Sequence, residues 1–287
     1  MTPSRLLGLT RPLSLLAAGL VWELVTRRAE LLYFPPPSAI ALRGFHMWLS
    51  GPPAHAFLTD QTVANLLPSL ARLAIGWTLA AVVGVTAGLA LGRLPVLAAV
   101  LGPLLHIGRS IPPTALLPLI LAIFIIGTPV QLAAISYGVT WPVLINAMDG
   151  ARAVERAYLD TAAVFQLRPL DRLLQVIVPA AAPQIFAGLR LSTSLALIMM
   201  IVSELTASTE GLGYLLQEAA SALDITAMWA VLVLLGLLGY ALNAIFLRIQ
   251  HRHQHLLRPG QDVFSRTRRR PQPPPLSRSL PRQGEPQ

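Results

Sequence analysis

Long apolar runs, broken by single charged residues, dominate the chain. Between Arg72 and Arg93 lie 20 residues without a charge, enough for one membrane crossing at about 20 residues. Between Arg109 and Asp149 there are 39, with Gly127-Thr128-Pro129 in the middle. This predicts two spans, about 112–127 and 129–148, joined by a tight turn. Between Asp224 and Arg248 there are 23, which gives a last span near 228–247. Only 13 separate Arg190 from Glu204, but a snorkelling Arg190 extends that run to a span over 184–206. The first span, 12–32, is interrupted by Glu23 and Arg27, which stand at i,i+4 and can pair on one helix face. Segment 94–108 has 15 uncharged residues including Gly102-Pro103. It is short for a crossing and reads as an interfacial or re-entrant helix, leaving six spans with both termini on one side.

A second kind of pattern fills 149–183. Apolar residues fall at Tyr158, Leu159, Ala162 and Phe165, then at Leu170, Leu173, Leu174 and Ile177, the spacing of two short one-sided helices. A polar helical pair hung between spans needs something outside the bilayer to receive its apolar face, so this is a docking element. On the other side, 33–69 opens with Tyr33-Phe34-Pro35-Pro36-Pro37-Ser38. Ser38 as N-cap and Gly51 as stop predict a short surface helix with Trp48 at the membrane interface. The tail, 258–287, is rich in proline and arginine, lacks apolar periodicity and reads as disordered.

Composition narrows the chemistry. Hydrophobic residues make up 54% and charged residues 12%, with mean hydropathy +0.61, against about 25% charged in soluble domains. The absence of cysteine excludes disulfides, thiolate metal sites and cysteine nucleophiles. All 22 basic residues are arginine. A P-loop needs a lysine to reach the β- and γ-phosphates, so a standard ATPase site is excluded, and any ATP that drives this protein is hydrolysed on another polypeptide. The net charge of +9 sits at span ends and in the tail, which points to anionic lipid and membrane orientation, not to nucleic acid. With six spans and the N-terminus inside, the cytoplasm receives Arg5, Arg11, Arg93, Arg109, Arg152, Arg156, Arg168, Arg172, Arg190 and the nine from Arg248 onward. That is 18 of 22, with Arg27, Arg28, Arg43 and Arg72 outside, and the positive-inside rule is met. No small-x-small cleavage site followed by a soluble mature domain appears, so the first apolar run reads as a span and not as a cleaved signal peptide. His251, His253 and His255 read as a solvated basic helix end and not as a metal site. No catalytic constellation is found: there is no His-Glu-x-x-His and no Gly-x-Ser-x-Gly.

The spans also indicate their packing. Gly76, Ala80, Gly84, Gly88 and Gly92 form an i,i+4 stripe that lets helix backbones approach closely in lipid. Pro112-Pro113, Pro118, Pro129 and Pro142 predict kinked or broken helices, which survive in a bilayer only where freed carbonyls face protein or a water-filled path. Polar candidates for a path are Ser136, Tyr137, Thr140 and Asn146, with Ser194, Ser203 and Glu204. Glu204 fits equally a place in the path or at the outer water interface.

Within 149–183, Asp160-Thr161-Ala162, Gln166 and Val178-Pro179 have a spacing that resembles the cytoplasmic "EAA" loop of binding-protein-dependent ABC transporter permeases. There an acid and an alanine precede a glycine, then an apolar residue and a proline about nineteen positions after the acid. Asp160, Ala162 and Pro179 match in place, while Thr161 and Gln166 replace the alanine and glycine. Ser69-Leu70-Ala71-Arg72, Arg109-Ser110-Ile111-Pro112-Pro113, Leu117-Pro118-Leu119, Gly188-Leu189-Arg190, Glu204-Leu205 and Gly211-Leu212-Gly213-Tyr214 are similar to the nitrate, sulfonate and taurine permeases. The likeness covers about 30–255. It implies an all-α, polytopic integral membrane protein of about six transmembrane helices with the type I ABC importer permease fold. The divisions are then a cytoplasmic N-terminus 1–11, a transmembrane permease domain 12–257 with coupling loop 149–183, and the tail.

The resemblance further implies no cofactor, no enzymatic activity of its own, and a multi-pass place in the bacterial inner (plasma) membrane. Its partners would be an ATP-binding subunit, an extracytoplasmic solute-binding protein, a second permease copy in a homodimer, and membrane lipid. Tyr158, Asp160, Thr161, Ala162, Phe165, Gln166, Leu167 and Pro179 would form the ATPase-coupling loop, with Phe165 and Leu167 as plugs. The substrate implied is a small anion or zwitterion such as nitrate, sulfonate or taurine, or a thiamine precursor. A left-handed turn would cost non-glycine Gln166 about 1–2 kcal/mol; alternatively the turn differs, with Pro169 opening the second helix. The competing class, a self-contained secondary transporter or channel, calls for inverted repeats and midplane acidic relays, and neither is present.

Overall fold

A computed structural model describes residues 3–29, 31–53 and 57–257. The tail 258–287 lies outside the described residues, as do the side chains of His251, His253 and His255. Four described helices are long and apolar enough to cross a membrane. They are α3 (Asp60–Arg93), α6 (Thr128–Arg152), the continuous run from α8 (Pro169–Arg172) through a π turn (Leu173–Ile177) into α9 (Val178–Ala207), and α11 (Ile225–Leu257). The remaining elements are α1 (Pro3–Ala29), α2 (Pro37–Trp48), α4 (Pro95–Ser110), α5 (Leu117–Phe124), α7 (Arg156–Val164) and α10 (Leu212–Ser221).

The core is built on α3, α6 and α9. Gly76, Gly84, Gly88 and Gly92 turn towards α6, and a Cβ added to any of them would lie within 3.0 Å of Ile135, Val143, Leu144, Ala147, Met148 or Ala151. The stripe therefore packs the subunit internally, removing the side chains that would hold α3 and α6 apart. α3 begins earlier than its charge-free run because Thr59 caps it, its hydroxyl accepting from Thr62 N at 3.2 Å.

The expected span over 112–127 is not found. Pro112 pushes Ile111 into an extended conformation, and the chain then makes a single 3-10 turn (Pro113–Leu116) and the eight-residue α5, which rises only about 12 Å. α4 and this turn-plus-helix form a pair bent by 86°. Arg93 donates to Ala151 O at 3.3 Å at one end of α3 and α6. At the other end, α6 reaches α9 through Gln131 to Ala207 O at 2.9 Å, and α3 reaches it through Arg72 to Glu204 at 3.1 Å. The two helices run the same way, so residues 94–127 return the chain from the Arg93 end to the Arg72 end. Segment 94–108 makes that return together with residues 113–124, as the first arm of one bent pair.

α1 is one helix over most of the expected first span, with Glu23, Arg27 and Arg28 in its last turns. Glu23 pairs with Arg27 and also accepts from Ser38 N at 3.0 Å and Ser38 Oγ at 2.7 Å. Ser38 is therefore not the N-cap of α2. Pro36 holds that position, Pro37 opens the helix, and the acceptor comes from Glu23. Trp48 is buried against the core instead of lying at the membrane interface. α2 ends before Gly51, which is needed where it stands because a Cβ there would lie 1.9 Å from Leu58 O.

Candidate functional site

The coupling segment begins later and is better anchored than its sequence pattern indicates. Asp149 still belongs to α6, and Pro183 already lies inside α9. α7 ends in a Schellman turn: Leu167 N donates to Ala162 O at 3.1 Å and Gln166 N to Ala163 O at 3.0 Å. Gln166 is the left-handed residue of that turn, with φ 50°, and Pro169 opens α8. Both alternatives for the turn hold together, and the side-chain strain of Gln166 is retained. Gln166→Gly should therefore slow hydrogen exchange of the Gln166 and Leu167 amides about fivefold, equivalent to about 1 kcal/mol of relieved strain. Unchanged exchange would mean that the glutamine side chain compensates locally.

The apolar face is divided between two destinations. Ala162 is buried, and Ile177, with Leu159 and Leu173 beside it, packs on a cluster formed by Leu89, Ala147, Ala151, Val154, Ala181 and Ile185. This corrects the expectation that the whole face awaits a partner. What stays outside is Tyr158, Val164, Phe165, Leu170 and Leu174, of which Phe165 is 73% exposed. Tyr158, Thr161, Phe165, Leu167 and Pro179 edge a groove of about 830 Å³, with Glu155 at its rim. Asp160 is exposed on α7, and Thr161 bonds back to Ala157 O at 2.8 Å. The segment is an apolar ridge and groove on a helical base fixed to the core.

At the opposite end, three separated sequence motifs meet. Glu204 has no exposed surface. It accepts from Ser69 Oγ at 2.8 and 2.9 Å, Arg72 Nη1 at 3.1 Å and Gly213 N at 3.0 Å. Ser69 Oγ in turn accepts from Leu212 N at 2.9 Å, and Asn65 Oδ1 accepts from Gly211 N at 2.8 Å. Arg72 continues to Glu210, reaching its carboxylate and its carbonyl. Gly211 sits at φ 118°, and a Cβ there would fall 2.5 Å from the Glu204 carboxyl, so glycine is required for both reasons. This knot ties α3 to α9 and α10 and satisfies a buried ion pair, as such a pair demands.

The path candidates separate accordingly. Ser203 and Glu204 lie inside the subunit, so neither faces a path or the outer water. Ser136 donates to Gly76 O at 3.3 Å, Tyr137 to Gly108 O at 2.7 Å, Thr140 to Ser136 O at 2.7 Å and Asn146 to Pro142 O at 2.8 Å; all four are part-buried. Ser194 is exposed on α9. The sequence reading missed the joining of Ser69, Arg72, Glu204, Glu210 and Gly211, although the motifs containing most of them were visible in order.

Residues 80–258 match the family described as binding-protein-dependent transport system inner membrane component. The nitrate import permease protein NrtB of Leptolyngbya laminosa is 30% identical over 65% of this chain and 67% of its own length. The bicarbonate transport system permease protein CmpB of Synechocystis is 29% identical over 84% and 86%. The taurine transport system permease protein TauC of Escherichia coli is 27% identical over 77% and 79%. An inward-facing structure of the MetNI methionine ABC transporter superposes with a TM-score of 0.59, covering 68% of this chain and 99% of that one at 19% identity. That likeness gives the fold alone, the all-α type I importer permease fold. With the exposed ridge, the anchored turn and the match over 80–258, the chain belongs to the binding-protein-dependent transport system inner membrane components.

Proposed function

We propose that this permease works as a homodimer around a central path, receives a small anion or zwitterion from an extracytoplasmic binding protein, and couples to ATP hydrolysed on a separate subunit. The observation that carries the coupling is the exposed ridge of Phe165, Val164, Leu170 and Leu174 beside its groove. Burying one phenylalanine in a partner's cleft contributes on the order of 2–3 kcal/mol. A ridge seated on a rigid base can then transmit a rigid-body movement of the ATPase into α6 and α9. Alternating access is a two-state equilibrium that nucleotide and the loaded binding protein bias in turn. The substrate class follows from the nitrate, bicarbonate and taurine permeases among the relatives. Membrane lipid covers the remaining apolar faces.

The test is biochemical separation. The purified chain, free of other subunits, should neither bind nor hydrolyse ATP, since it has no lysine for a phosphate-binding loop. Adding its ATPase subunit should give a complex with ATP hydrolysis that the loaded binding protein stimulates. ATPase activity in the isolated chain would refute the division of labour.

A further inference from the structure

The break between α4 and α5 lies level with the middle of α6. Tyr137 OH donates to Gly108 O at 2.7 Å, a Cβ on Gly108 would meet the Trp141 ring at 2.4 Å, and one on Gly138 would meet Pro113 at 3.5 Å. Residues 137–141 stand about 14–20 Å from the Thr128 end of α6 and about 17–23 Å from the Arg152 end, at 1.5 Å per residue. Arg109 follows Gly108 directly, so it sits near mid-depth and not at the cytoplasmic surface. No water surface lies within the reach of an arginine that snorkels along the bilayer normal. Arg109 is exposed and makes no hydrogen bond or ion pair among the described residues.

α4 itself has two exposed faces of opposite character. Val96, Val100, Leu104 and Ile107 form one apolar stripe at helical spacing, each more than 60% exposed. Gly102, His106 and Arg109 form a second stripe on the other side. The apolar stripe suits lipid, and the other does not. Residues 61–148, 178–203 and 225–257 contain no carboxylate, and Glu204 is already occupied by Arg72 and Ser69. A second copy related by a two-fold axis along the membrane normal keeps every residue at its own depth, so it brings no carboxylate to Arg109 either. An unpaired cation at this depth is costly unless water or an anion meets it.

We propose that Arg109, at the break of the bent crossing, lines the translocation path and binds the anionic group of the substrate. The inference rests on the reading of the chain as a homodimeric permease for small anions and names the residue that recognises them. A guanidinium offers a planar fork of donors that fits nitrate, bicarbonate or sulfonate oxygens. The pair of Arg109 residues, one from each copy, would draw an anion towards the centre. One transient contact in mid-path, without a closed cage around it, also allows the ion to leave.

The experiment uses the full transporter, permease with its ATPase and binding protein, in proteoliposomes. Uptake of nitrate, bicarbonate and taurine is measured with wild type, Arg109→Lys and Arg109→Gln. Arg109→Gln should lower uptake of the transported anion roughly 10- to 100-fold, the loss expected for a hydrogen bond to a charged group, with assembly of the complex unchanged. Arg109→Lys should retain more uptake than Arg109→Gln. In this cysteine-free chain, Arg109→Cys should react with a water-soluble cationic methanethiosulfonate. Ile107→Cys, about 200° round the helix, should stay unreactive. Wild-type uptake that Arg109→Gln leaves unchanged, or Arg109→Cys as unreactive as Ile107→Cys, would overturn the assignment of Arg109 alone. A wild-type transporter that takes up none of the three anions would overturn the substrate class and this inference with it.

Discussion

Arg72→Met is expected to destabilise the permease by about 3–5 kcal/mol, the cost of breaking a buried ion pair by removing one partner. The substitution removes the cation from Glu204, which has no exposed surface, and also releases Glu210 from its carbonyl and carboxylate contacts. Glu204 would keep Ser69 and Gly213 as donors, but neither neutralises its charge. The second change, Glu204→Met, removes the stranded charge, so the double variant Arg72→Met with Glu204→Met should recover a large part of the loss. Unfolding of the detergent-purified protein, followed for wild type, both single variants and the double variant, measures the coupling directly. Strictly additive losses would show that the two residues stabilise the fold independently, against the geometry of the knot.

That knot also shows what the sequence can and cannot convey. Ser69-Leu70-Ala71-Arg72, Glu204-Leu205 and Gly211-Leu212-Gly213 stand far apart in the chain, and their order was legible as a family resemblance. Their convergence on one carboxylate was not, because a hydrogen bond across 132 residues leaves no local periodicity. The spans 129–148, 184–206 and 228–247 were readable, since a charge-free run of sufficient length has few alternatives in a membrane. The same rule failed at 112–127. Length alone admitted a crossing there, whereas Pro112 and Pro113 divide the crossing into two halves at an 86° bend. Counting between charges also places every charge at a span end, whereas Gly108, next to Arg109, lies beside Tyr137 and Trp141 in the middle of α6. The coupling segment was found from its apolar spacing, yet spacing could not say that Ala162 and Ile177 turn inward while Phe165 and Leu170 turn outward.

This division between inward and outward residues makes Phe165→Asp the most informative change at the coupling end. Phe165 is 73% exposed and follows the last turn of α7, so an aspartate there costs the isolated subunit little. In a complex it would lose about 2–3 kcal/mol of apolar burial and place an unpaired carboxylate in the partner's cleft, which is costlier still. The expected result is at least a hundredfold weaker association with the ATPase subunit, with transport abolished and membrane insertion unchanged. Ala162→Asp supplies the contrast. Ala162 is 3% exposed within the permease itself, so a charge there should reduce the yield of folded permease before any partner is added. Co-purification and transport unchanged in Phe165→Asp would remove the ridge as the docking surface and favour a self-contained transporter. The two variants sit three residues apart, Ala162 in the last turn of α7 and Phe165 at its C-cap, so opposite outcomes would follow the burial of the first within the permease and the exposure of the second.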